Sequence, residues 1–586
     1  MSRHYTDEKN AQILIALLKA HGIRKVVASP GTTNIPITGS MLNDPFFEVY
    51  SAPDERSGAY IACGLSYESG EPVALSCTGA TASRNYLPGL TEAWYRKLPV
   101  IAITSTPSLI EVGHLLPQCI DRSVAEKGIA RISVNLPPVT YEVDFWDCEI
   151  KVNTAILEAR RAGGGPVHIN IVTSYTGTFN TRELPRVRVI HRIEYSDEFP
   201  TLDSAKKVAV FIGAHKPFSQ AETESLEQFV NTHNAIVLCD QTSSYRGAGR
   251  VLSALACSQH LPAKPIFLHL RPDLIIHLGE VSGDYPTQDF LRASGAKVWR
   301  VSEDGELRDR FKRLEYVFEM REQDVFQRLS KNLTPRDNAY LLAWRGYVQR
   351  IADMIPELPF SNTWIAQQVS RALPPAVTVH FGILTSLKSG NLFELNDSIQ
   401  TMCNVGGFGI DGCLSTLIGA SFANRDRLHF AVVGDLAFFY DLNSIANRHL
   451  GGNVRILLIN NGGGVEFRMP QNPGAQFGGE SGDYIVAALH YGNKSPGFVR
   501  HIAEELGFKY MAAKSKDEFR NAIQEFTIVG ANDKPMLFEC FTEMCDDANA
   551  LEAVWNIDRS VVASVVTKVL PRGVKSGIKR LLQIED

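Results

Sequence analysis

Short apolar runs typical of buried strands alternate with helical stretches along nearly the whole chain, and this alternation restricts the possible folds more than any other feature. Residues 8–21 have a helical period, with Ile13, Leu14 and Leu17 on one apolar stripe. Strands that alternate with helices form βαβ units and parallel sheets. The pattern predicts an α/β protein with strands at 25–28, 72–75, 99–103, 167–172, 208–212, 235–239, 274–278, 297–301, 377–381, 428–433 and 455–459.

The alternation falls into three blocks. A Thr-, Arg- and Pro-rich segment without a period, residues 177–205, is predicted to be a linker after the first block, and a charged helical stretch at 318–356 leads into the third. At ~100–200 residues per domain, a chain of 586 residues has room for three or four domains. We predict three doubly wound parallel-sheet domains, at 1–180, 190–345 and 355–555.

Charge, hydropathy and cysteine spacing exclude several classes of protein. The chain has 59 Lys and Arg against 64 Asp and Glu, a net charge of −5, so no excess of positive charge favours nucleic acid as a partner. No stretch approaches the ~20 apolar residues of a membrane-spanning helix, and the first residues lack the pattern of a secretory signal. The ten cysteines form no CxxC pair, which favours a reduced cytoplasmic protein without structural zinc.

The last residues, 556–586, are predicted to form a basic amphipathic tail. An apolar stripe is followed by a cluster of Lys and Arg: Val561, Val562, Val565, Val566, Val569, Leu570, Arg572, Lys575, Lys579 and Arg580. Such a tail can pack on its own domain or lie on an anionic membrane surface. We favour packing, and peripheral contact with a membrane is the alternative.

Two strands of the third block end in residues suited to a metal and a diphosphate. Gly434 and Asp435 follow one apolar strand, and Asn461 and Gly462 follow the next. Because ligands bind at the carboxyl edge of parallel sheets, and a helix N-terminus there suits a phosphate, these residues are candidates for one site. A carboxylate, an amide oxygen and a turn carbonyl can supply three ligands to Mg²⁺. Either pair alone is typical of a strand-end turn, but the two together indicate a metal–diphosphate site.

The spacing of these pairs resembles the metal-binding signature of the thiamine-diphosphate-dependent enzymes, which is Gly-Asp-Gly and a later Asn-Asn. Leu436 stands in place of the last glycine, a departure shared by one branch of that superfamily. That branch is the menaquinone-pathway synthase, which joins a decarboxylated 2-oxoglutarate unit to isochorismate. Further segments are similar to that branch, at 29–31, 54–57, 74–99, 409–412, 434–443 and 460–464.

The resemblance implies identities for the three blocks and for the cofactor site. In chain order, the blocks would be the pyrimidine-binding, central and diphosphate-binding domains, although the middle block matches only by position. The cofactor would contact Glu55, Ser386, Gly409, Ile410, Gly434, Asp435, Leu436, Ala437, Asn461 and Gly463. Asp435, Asn461 and the carbonyl of Gly463 would hold Mg²⁺. Ile410 would be the apolar wedge that bends the cofactor, and Ser386 a diphosphate contact.

Glu55 is the expected acid–base residue. Thiamine chemistry requires a carboxylate that protonates the ring nitrogen of the aminopyrimidine, and a Glu with a raised pKa in an apolar pocket suits this role. From the residues alone, ordinary enrichment of acids in the first turn of a helix is favoured, and only the resemblance reverses that preference. In this family the pyrimidine and diphosphate sites of one cofactor come from different subunits, which implies a homodimer or homotetramer.

The substrate side departs from the synthase branch. That branch places arginines in the loop containing Thr32 and Thr33, in the loop containing Thr106, and at Val405. Because guanidinium groups bind carboxylates bidentately, their absence predicts a less anionic or differently arranged substrate. Candidate catalytic or substrate residues are Thr32, Thr33, Arg84, His114, Gln118, Lys388, Glu466 and Phe467. Among them Gln118, His114 and Glu466 are the candidates for catalysis.

Two other classes of protein remain as alternatives. Gly407, Gly409 and Gly412 satisfy G-x-G-x-x-G, which is compatible with a nicotinamide oxidoreductase, but 400–404 before them is a poor buried strand. A catalytically inactive cofactor-binding subunit is the second alternative, and the presence of Glu55 argues against it. Residues 213–217 follow a strand and could hold a phosphate, but an ordinary turn is favoured, so no second cofactor is expected.

The sequence therefore predicts an enzyme that uses thiamine diphosphate and Mg²⁺ to decarboxylate a 2-oxoacid. It would pass the acyl-anion equivalent to a carbonyl or enoyl acceptor. Carboligation is favoured because the nearest resemblance is to a carboligase. The menaquinone-pathway synthase itself and a simple 2-oxoacid decarboxylase are the alternatives within the family.

Overall fold

The alternation of strands and helices is present in the computed structural model, which describes residues 4–122, 126–174, 177–202, 206–335, 337–482, 484–488, 495–529 and 533–558. The chain forms two compact units. The first contains residues 1–198 and 304–319, and the second contains 199–303 and 320–586. The domain boundaries expected from the sequence stay predictions. Most of the predicted tail, from residue 559, lies outside the described residues.

The strands coincide with the apolar runs of the sequence, and shorter ones are added between them. In chain order they are β1 (Lys25–Ala28), β2 (Glu48–Ser51), β3 (Val73–Cys77), β4 (Val100–Thr106), β5 (Ser133–Leu136), β6 (Val167–Val172), β7 (His191–Ile193), β8 (Val208–Ile212), β9 (Ala235–Cys239), β10 (Arg250–Leu252), β11 (Leu274–Leu278), β12 (Lys297–Val301), β13 (Leu314–Phe318), β14 (Thr378–Phe381), β15 (Gln400–Met402), β16 (His429–Gly434), β17 (Val454–Asn460), β18 (Lys509–Ala513) and β19 (Met536–Phe541).

Helices connect most of these strands. They are α1 (Lys9–Ala20), α2 (Ile35–Leu42), α3 (Glu55–Ser69), α4 (Thr81–Asn85), α5 (Leu87–Tyr95), α6 (Glu142–Arg160), α7 (Gln220–Thr232), α8 (Ala254–Cys257), α9 (Phe267–Leu270), α10 (Tyr285–Ser294), α11 (Glu322–Leu329), α12 (Ala339–Asp353), α13 (Asn362–Ala372), α14 (Thr385–Gly390), α15 (Cys413–Ala423), α16 (Asp435–Tyr440), α17 (Phe498–Glu505), α18 (Lys516–Phe526) and α19 (Met544–Trp555). Short 3₁₀ turns lie at Thr32–Asn34, Arg161–Gly163, Leu261–Ala263, Leu442–Ala446, Val465–Arg468 and Pro473–Ser481.

The first sheet is parallel and has helices on both faces. Its strand order is β2-β1-β3-β4-β6-β5. Successive residues of a strand point to opposite faces, so Val26 and Val27 enter different cores. Val26 belongs to the core that includes residues of α1 and α6, and Val27 to the core that includes residues of α3 and α5. This two-sided burial explains why the strands appear in the sequence as continuous apolar runs.

Two further parallel sheets complete the predicted architecture. In the second unit the middle sheet runs β10-β9-β8-β11-β12. The pair β7–β13 belongs to the first unit and is also parallel. The last sheet runs β15-β14-β16-β17-β19-β18, so β16 and β17 are central neighbours. The α/β class with three doubly wound parallel sheets is confirmed.

Several strands missed by the sequence analysis lie at sheet edges or have only three residues. The edge strand β2 is mostly exposed, and β10 and β15 have three residues each. The predicted linker at 177–205 was incomplete, because it contains β7. Edge strands are buried on fewer sides than central ones, so they lack the apolar run that identifies a central strand.

Two expectations concern membranes and cysteines. Within the described residues, no helix combines the length and the apolar character needed to cross a bilayer. All ten cysteines are unpaired, and seven of them are buried.

Gln241 joins the middle sheet to α14, and both lie in the second unit. It follows β9 and is fully buried. Its backbone N–H donates to Asn391 Oδ1 at 2.9 Å. Its side-chain Nε2 donates to the carbonyl oxygens of Gly390 at 3.2 Å and Phe393 at 3.0 Å. Because Gly390 ends α14, the position of that helix is fixed from the middle sheet.

We predict that Gln241→Leu lowers the free energy of unfolding by about 1–3 kcal/mol, because two buried carbonyl groups lose their donor. The measurement is the midpoint of urea unfolding followed by tryptophan fluorescence. Gln220→Leu is the matched control, since Gln220 is exposed on α7 and its side chain donates to the exposed Glu224 at 2.8 Å. Equal midpoints for the two variants would contradict the prediction.

Candidate active site

Asp435 lies where β16 ends, at the carboxyl edge of the last sheet. Its side chain is only 2% exposed. Oδ2 accepts a hydrogen bond from the backbone N–H of Gly462 at 3.0 Å, and Oδ1 accepts from that of Leu436 at 2.9 Å. Since Gly462 follows β17, the carboxylate is held against the turn after the neighbouring strand. The two sequence pairs that predicted a metal site are therefore in direct contact.

Asn461 is held in one orientation from both ends of its amide. Oδ1 accepts from the backbone N–H of Gly463 at 3.1 Å. Nδ2 donates to Asp547 Oδ2 at 2.8 Å. The amide oxygen, which is the predicted metal ligand, is therefore directed toward the glycine turn. The preceding Asn460 has a different role, because its Nδ2 donates at 2.7 Å to Glu539 within the sheet.

Asp547 is a functional candidate that the sequence analysis missed. It lies on α19 and is fully buried, and burial raises the pKa of its carboxyl group. Its oxygens also accept from the backbone N–H of Asn362 at 2.6 Å and from the hydroxyl of Thr542 at 3.0 Å. Asp547 is 86 residues from Asn461 in the chain, and no local motif marks it.

The turn after β17 is restricted to glycine by its conformation and by its neighbours. Gly462 has a φ of +85°, which favours glycine. A Cβ on Gly463 would lie 3.0 Å from the Cα of Ala488, and one on Gly464 would lie 2.9 Å from the carbonyl oxygen of Val486. The backbone N–H of Gly464 donates to that carbonyl at 2.6 Å. The backbone of residues 486–488 therefore covers the turn directly.

The donors at this edge fit Mg²⁺. Among the described residues, no group of three or more His, Cys, Asp or Glu side chains is placed to hold a metal ion. The candidate ligands are instead one carboxylate, one amide oxygen and one backbone carbonyl, all of which are hard oxygen donors. The ligand chemistry thus suits a cation that keeps part of its coordination for a diphosphate and water.

The remaining predicted cofactor contacts, apart from Glu55, also lie in the second unit. Ile410 packs against the apolar core formed by α15 and α16 residues. A Cβ on Gly409 would lie 2.2 Å from Oδ1 of the exposed Asp411 side chain, which would have to move to admit one. Ser386 is buried on α14, and Ala437 is buried on α16. Gly434 and Leu436 are partly buried at the strand end.

Lys388 and Glu466 form an ion pair. Lys388 Nζ lies 2.6 Å from Glu466 Oε1 and 2.8 Å from Oε2, and both side chains are mostly buried. Both residues are candidates from the sequence, but no sequence pattern predicts their contact. Phe467, the next residue, is 39% exposed.

Glu55 is the first residue of α3, in the first unit. The capping hydrogen bonds come from the preceding Asp54, whose side chain accepts from the N–H groups of Arg56 at 3.3 Å and Ser57 at 3.2 Å. The helix N-terminus is therefore closed without the Glu55 carboxylate, which is partly exposed. Glu55 is nevertheless the acidic residue of the first turn, where a carboxylate interacts favourably with the helix N-terminus.

The other candidates of the first unit differ in burial. Thr33 is buried, and its hydroxyl lies 2.9 Å from that of Ser105, whereas Thr32 is exposed. Arg84 lies on α4 and pairs with Glu126 at 3.6 Å. His114 and Gln118 are both exposed in the loop after β4. Gln118 has a φ of +66°, a strained conformation that is frequent at functional sites.

Comparisons with known proteins agree with this geometry. The profile described as thiamine pyrophosphate enzyme, N-terminal TPP binding domain, matches residues 8–125, which include Glu55. The profile described as thiamine pyrophosphate enzyme, C-terminal TPP binding domain, matches residues 389–540, which include Asp435 and Asn461.

Similar proteins cover almost the whole chain. The 2-succinyl-5-enolpyruvyl-6-hydroxy-3-cyclohexene-1-carboxylate synthase of Bacteroides thetaiotaomicron is 32% identical over 94% of this chain and 98% of its own length. The protein of the same name from Phocaeicola vulgatus is 32% identical over 94% of this chain and 99% of its own length. The protein of the same name from Flavobacterium johnsoniae is 27% identical over 91% of this chain and 96% of its own length. The chain therefore belongs to the family of thiamine-diphosphate-dependent enzymes, and its cofactor is thiamine diphosphate.

Proposed function

We propose that this enzyme decarboxylates a 2-oxoacid and transfers the acyl-anion equivalent to a carbonyl or enoyl acceptor. When bound, thiamine diphosphate supplies the electron sink for the loss of CO₂. The observation that carries the proposal is the contact between Asp435 and the turn at Gly462 that also holds Asn461. The Asp435 carboxylate and the Asn461 amide both contact the glycine turn there, at the edge where a sheet of this class binds its ligand.

In this proposal Asp435, Asn461 and the carbonyl of Gly463 hold Mg²⁺, which in turn binds the diphosphate. The N–H···Oδ2 bond from Gly462 fixes the Asp435 carboxylate, and Asp547 fixes the amide of Asn461. The diphosphate end is also lined by Ser386, Gly409, Gly434, Leu436 and Ala437. Ile410 would place its apolar side chain against the bound cofactor.

Glu55 holds a proton at the ring nitrogen of the aminopyrimidine. Support comes from its place at the start of α3, where Asp54 already supplies the cap. His114 and Gln118 are proposed to contact the substrate from the exposed loop after β4. Glu466 is a weaker candidate for catalysis, because Lys388 neutralises its carboxylate.

The assembly and compartment are proposed on the family resemblance and the cysteines. A homodimer or homotetramer would bring Glu55 of one subunit to the Asp435 site of another. The free thiols support a reducing compartment such as the cytoplasm.

The identity of the substrates has two candidates. The names of the similar proteins support the menaquinone-pathway synthase reaction, with 2-oxoglutarate as donor and isochorismate as acceptor. Thr32–Thr33, Thr106 and Val405, which replace the arginines of that branch, support a different acid or acceptor. The comparisons favour the first candidate, and one assay separates the two.

We predict that the enzyme releases CO₂ from 2-oxoglutarate in the presence of thiamine diphosphate and Mg²⁺, and that isochorismate is converted to an adduct detectable by mass spectrometry. Chelation of the divalent cation should stop both reactions. A panel of other 2-oxoacids, each with aldehyde, ketone and enoyl acceptors, tests the second candidate. Absence of CO₂ from every 2-oxoacid would refute the proposed function.

We predict that Asp547→Asn weakens the apparent affinity for Mg²⁺ by about 10–100-fold, the usual effect of losing a residue that orients a metal ligand. The carboxylate accepts from three groups, and an amide in its place must present its NH₂ to at least one of these donors. Mg²⁺ titrations of cofactor binding measure the effect. Asp546→Asn, the adjacent position on α19, is the control. Superimposable titrations for both variants would remove Asp547 from the site.

We predict that Glu55→Gln still binds thiamine diphosphate but slows exchange of its C2 proton by about 100-fold or more, because the ring nitrogen loses its acid–base partner. Quenched-flow deuterium exchange followed by NMR measures the rate. Glu68→Gln, on the exposed side of the same helix, should exchange at the wild-type rate. A normal rate in Glu55→Gln would exclude the proposed role.

A further inference from the structure

Arg122 is a buried cation that the site described above does not use. The residue is only 6% exposed. Its Nη2 donates to the carbonyl oxygen of Ser105 at 3.0 Å. Within the described part of the chain, its Nε and Nη1 have no hydrogen-bond partner. A buried charge with unsatisfied donors is costly to keep, so its retention requires an explanation.

The groups around Arg122 leave its charge uncompensated. Arg122 lines a cavity of about 50 Å³ together with Arg84, Thr104, Glu126 and His168. Glu126 pairs with Arg84 at 3.6 Å, and both of these side chains are largely exposed. Burial lowers the pKa of His168 to about 4, so this ring is neutral near pH 7. The cavity wall therefore carries an excess of positive charge.

The guanidinium lies at the carboxyl ends of β3 and β4, where parallel sheets bind ligands. A Cβ on Gly79, which follows β3, would lie 3.1 Å from Arg122 Nη2 and 3.2 Å from Nη1. A side chain there would require the guanidinium to shift by a few tenths of an ångström, so the absence of a Cβ at Gly79 suits its position. Ser105 is fixed in turn by its hydroxyl contact with Thr33 at 2.9 Å. The ends of β3 and β4 thus hold the Arg122 guanidinium in a defined position.

We propose that Arg122 binds a carboxylate group of the organic-acid substrate. The cavity volume admits a carboxylate group but not a whole substrate, and the two unpartnered nitrogens supply N–H donors to its oxygens. Arg122 thereby replaces, from a different position, a positive charge that the loops at Thr32–Thr33 and Thr106 lack. The inference rests on the proposed function, because it assigns the bound acid to the donor or acceptor of that reaction.

The test uses the full-length enzyme loaded with thiamine diphosphate and Mg²⁺. Binding of 2-oxoglutarate and of pyruvate is measured by calorimetry for wild type, Arg122→Met, Arg122→Lys and Arg96→Gln. Arg96 is exposed at the end of α5 and serves as the matched control. The dimethyl ester of 2-oxoglutarate is the neutral probe. Affinity for thiamine diphosphate and release of CO₂ from the panel of 2-oxoacids are measured separately, so failure of the proposed function shows as absence of CO₂ release by the wild type.

The wild type is expected to bind at least one of the two acids and not the ester. Arg122→Met should weaken that binding by about 30-fold or more. The affinity of Arg122→Lys for the acid should lie between those of wild type and Arg122→Met, and the affinity of Arg96→Gln should equal that of wild type. The melting temperature of Arg122→Met should equal or exceed that of wild type, because an unpaired buried charge is removed. Cofactor affinity should be the same in all variants.

Three results would overturn the inference. The first is a wild type that binds cofactor but neither acid. The second is binding of the acid by Arg122→Met within twofold of wild type. The third is a lower melting temperature or a smaller oligomer for Arg122→Met, which would mean that a carboxylate of the protein, from this chain or a second copy, already pairs with the guanidinium.

Discussion

The candidate metal site depends on the conformation of the chain where the adjacent strands β16 and β17 end. The carboxylate of Asp435, at the end of β16, must be satisfied in a place with almost no access to water, and the N–H of Gly462 after β17 satisfies it. Burying such a group without donors would cost several kcal/mol. The hydrogen bond therefore fixes the position of the two turns relative to each other as well as the orientation of the Asp435 carboxylate, the candidate metal ligand.

Single hydrogen bonds connect this contact to the helices that flank the last sheet. Asn461 is tied to Asp547 on α19, and Asp547 is tied to the start of α13 through the N–H of Asn362. The helices that flank the last sheet thus take part in orienting one amide oxygen. Gln241 adds a similar constraint from the middle sheet to α14. Chemistry that needs positions accurate to a fraction of an ångström is supported by rigid elements rather than by loops alone.

The sequence was sufficient for features that are local and insufficient for those that join distant parts of the chain. Central strands such as β16 and β17 are buried on both faces and appear as apolar runs, whereas the exposed edge strand β2 has no such run. Asp435 and Asn461 could be found because each follows a strand directly. Asp547 and Arg122 could not, because their significance comes from partners brought close only by folding. The pairing of Lys388 with Glu466 likewise needed the structure.

The backbone of residues 486–488, which covers the glycine turn after β17, affects how this enzyme can evolve. Residues 486–488 meet Gly463 and Gly464 largely through main-chain atoms, so amino-acid changes in the cover leave the shape of that contact nearly unaltered. The pyrophosphate end can stay constant while the substrate-facing loops accumulate replacements. Enzymes of this family can thus evolve to use a new acid or acceptor through a few side-chain replacements, while the region proposed to bind the diphosphate of the cofactor keeps its structure.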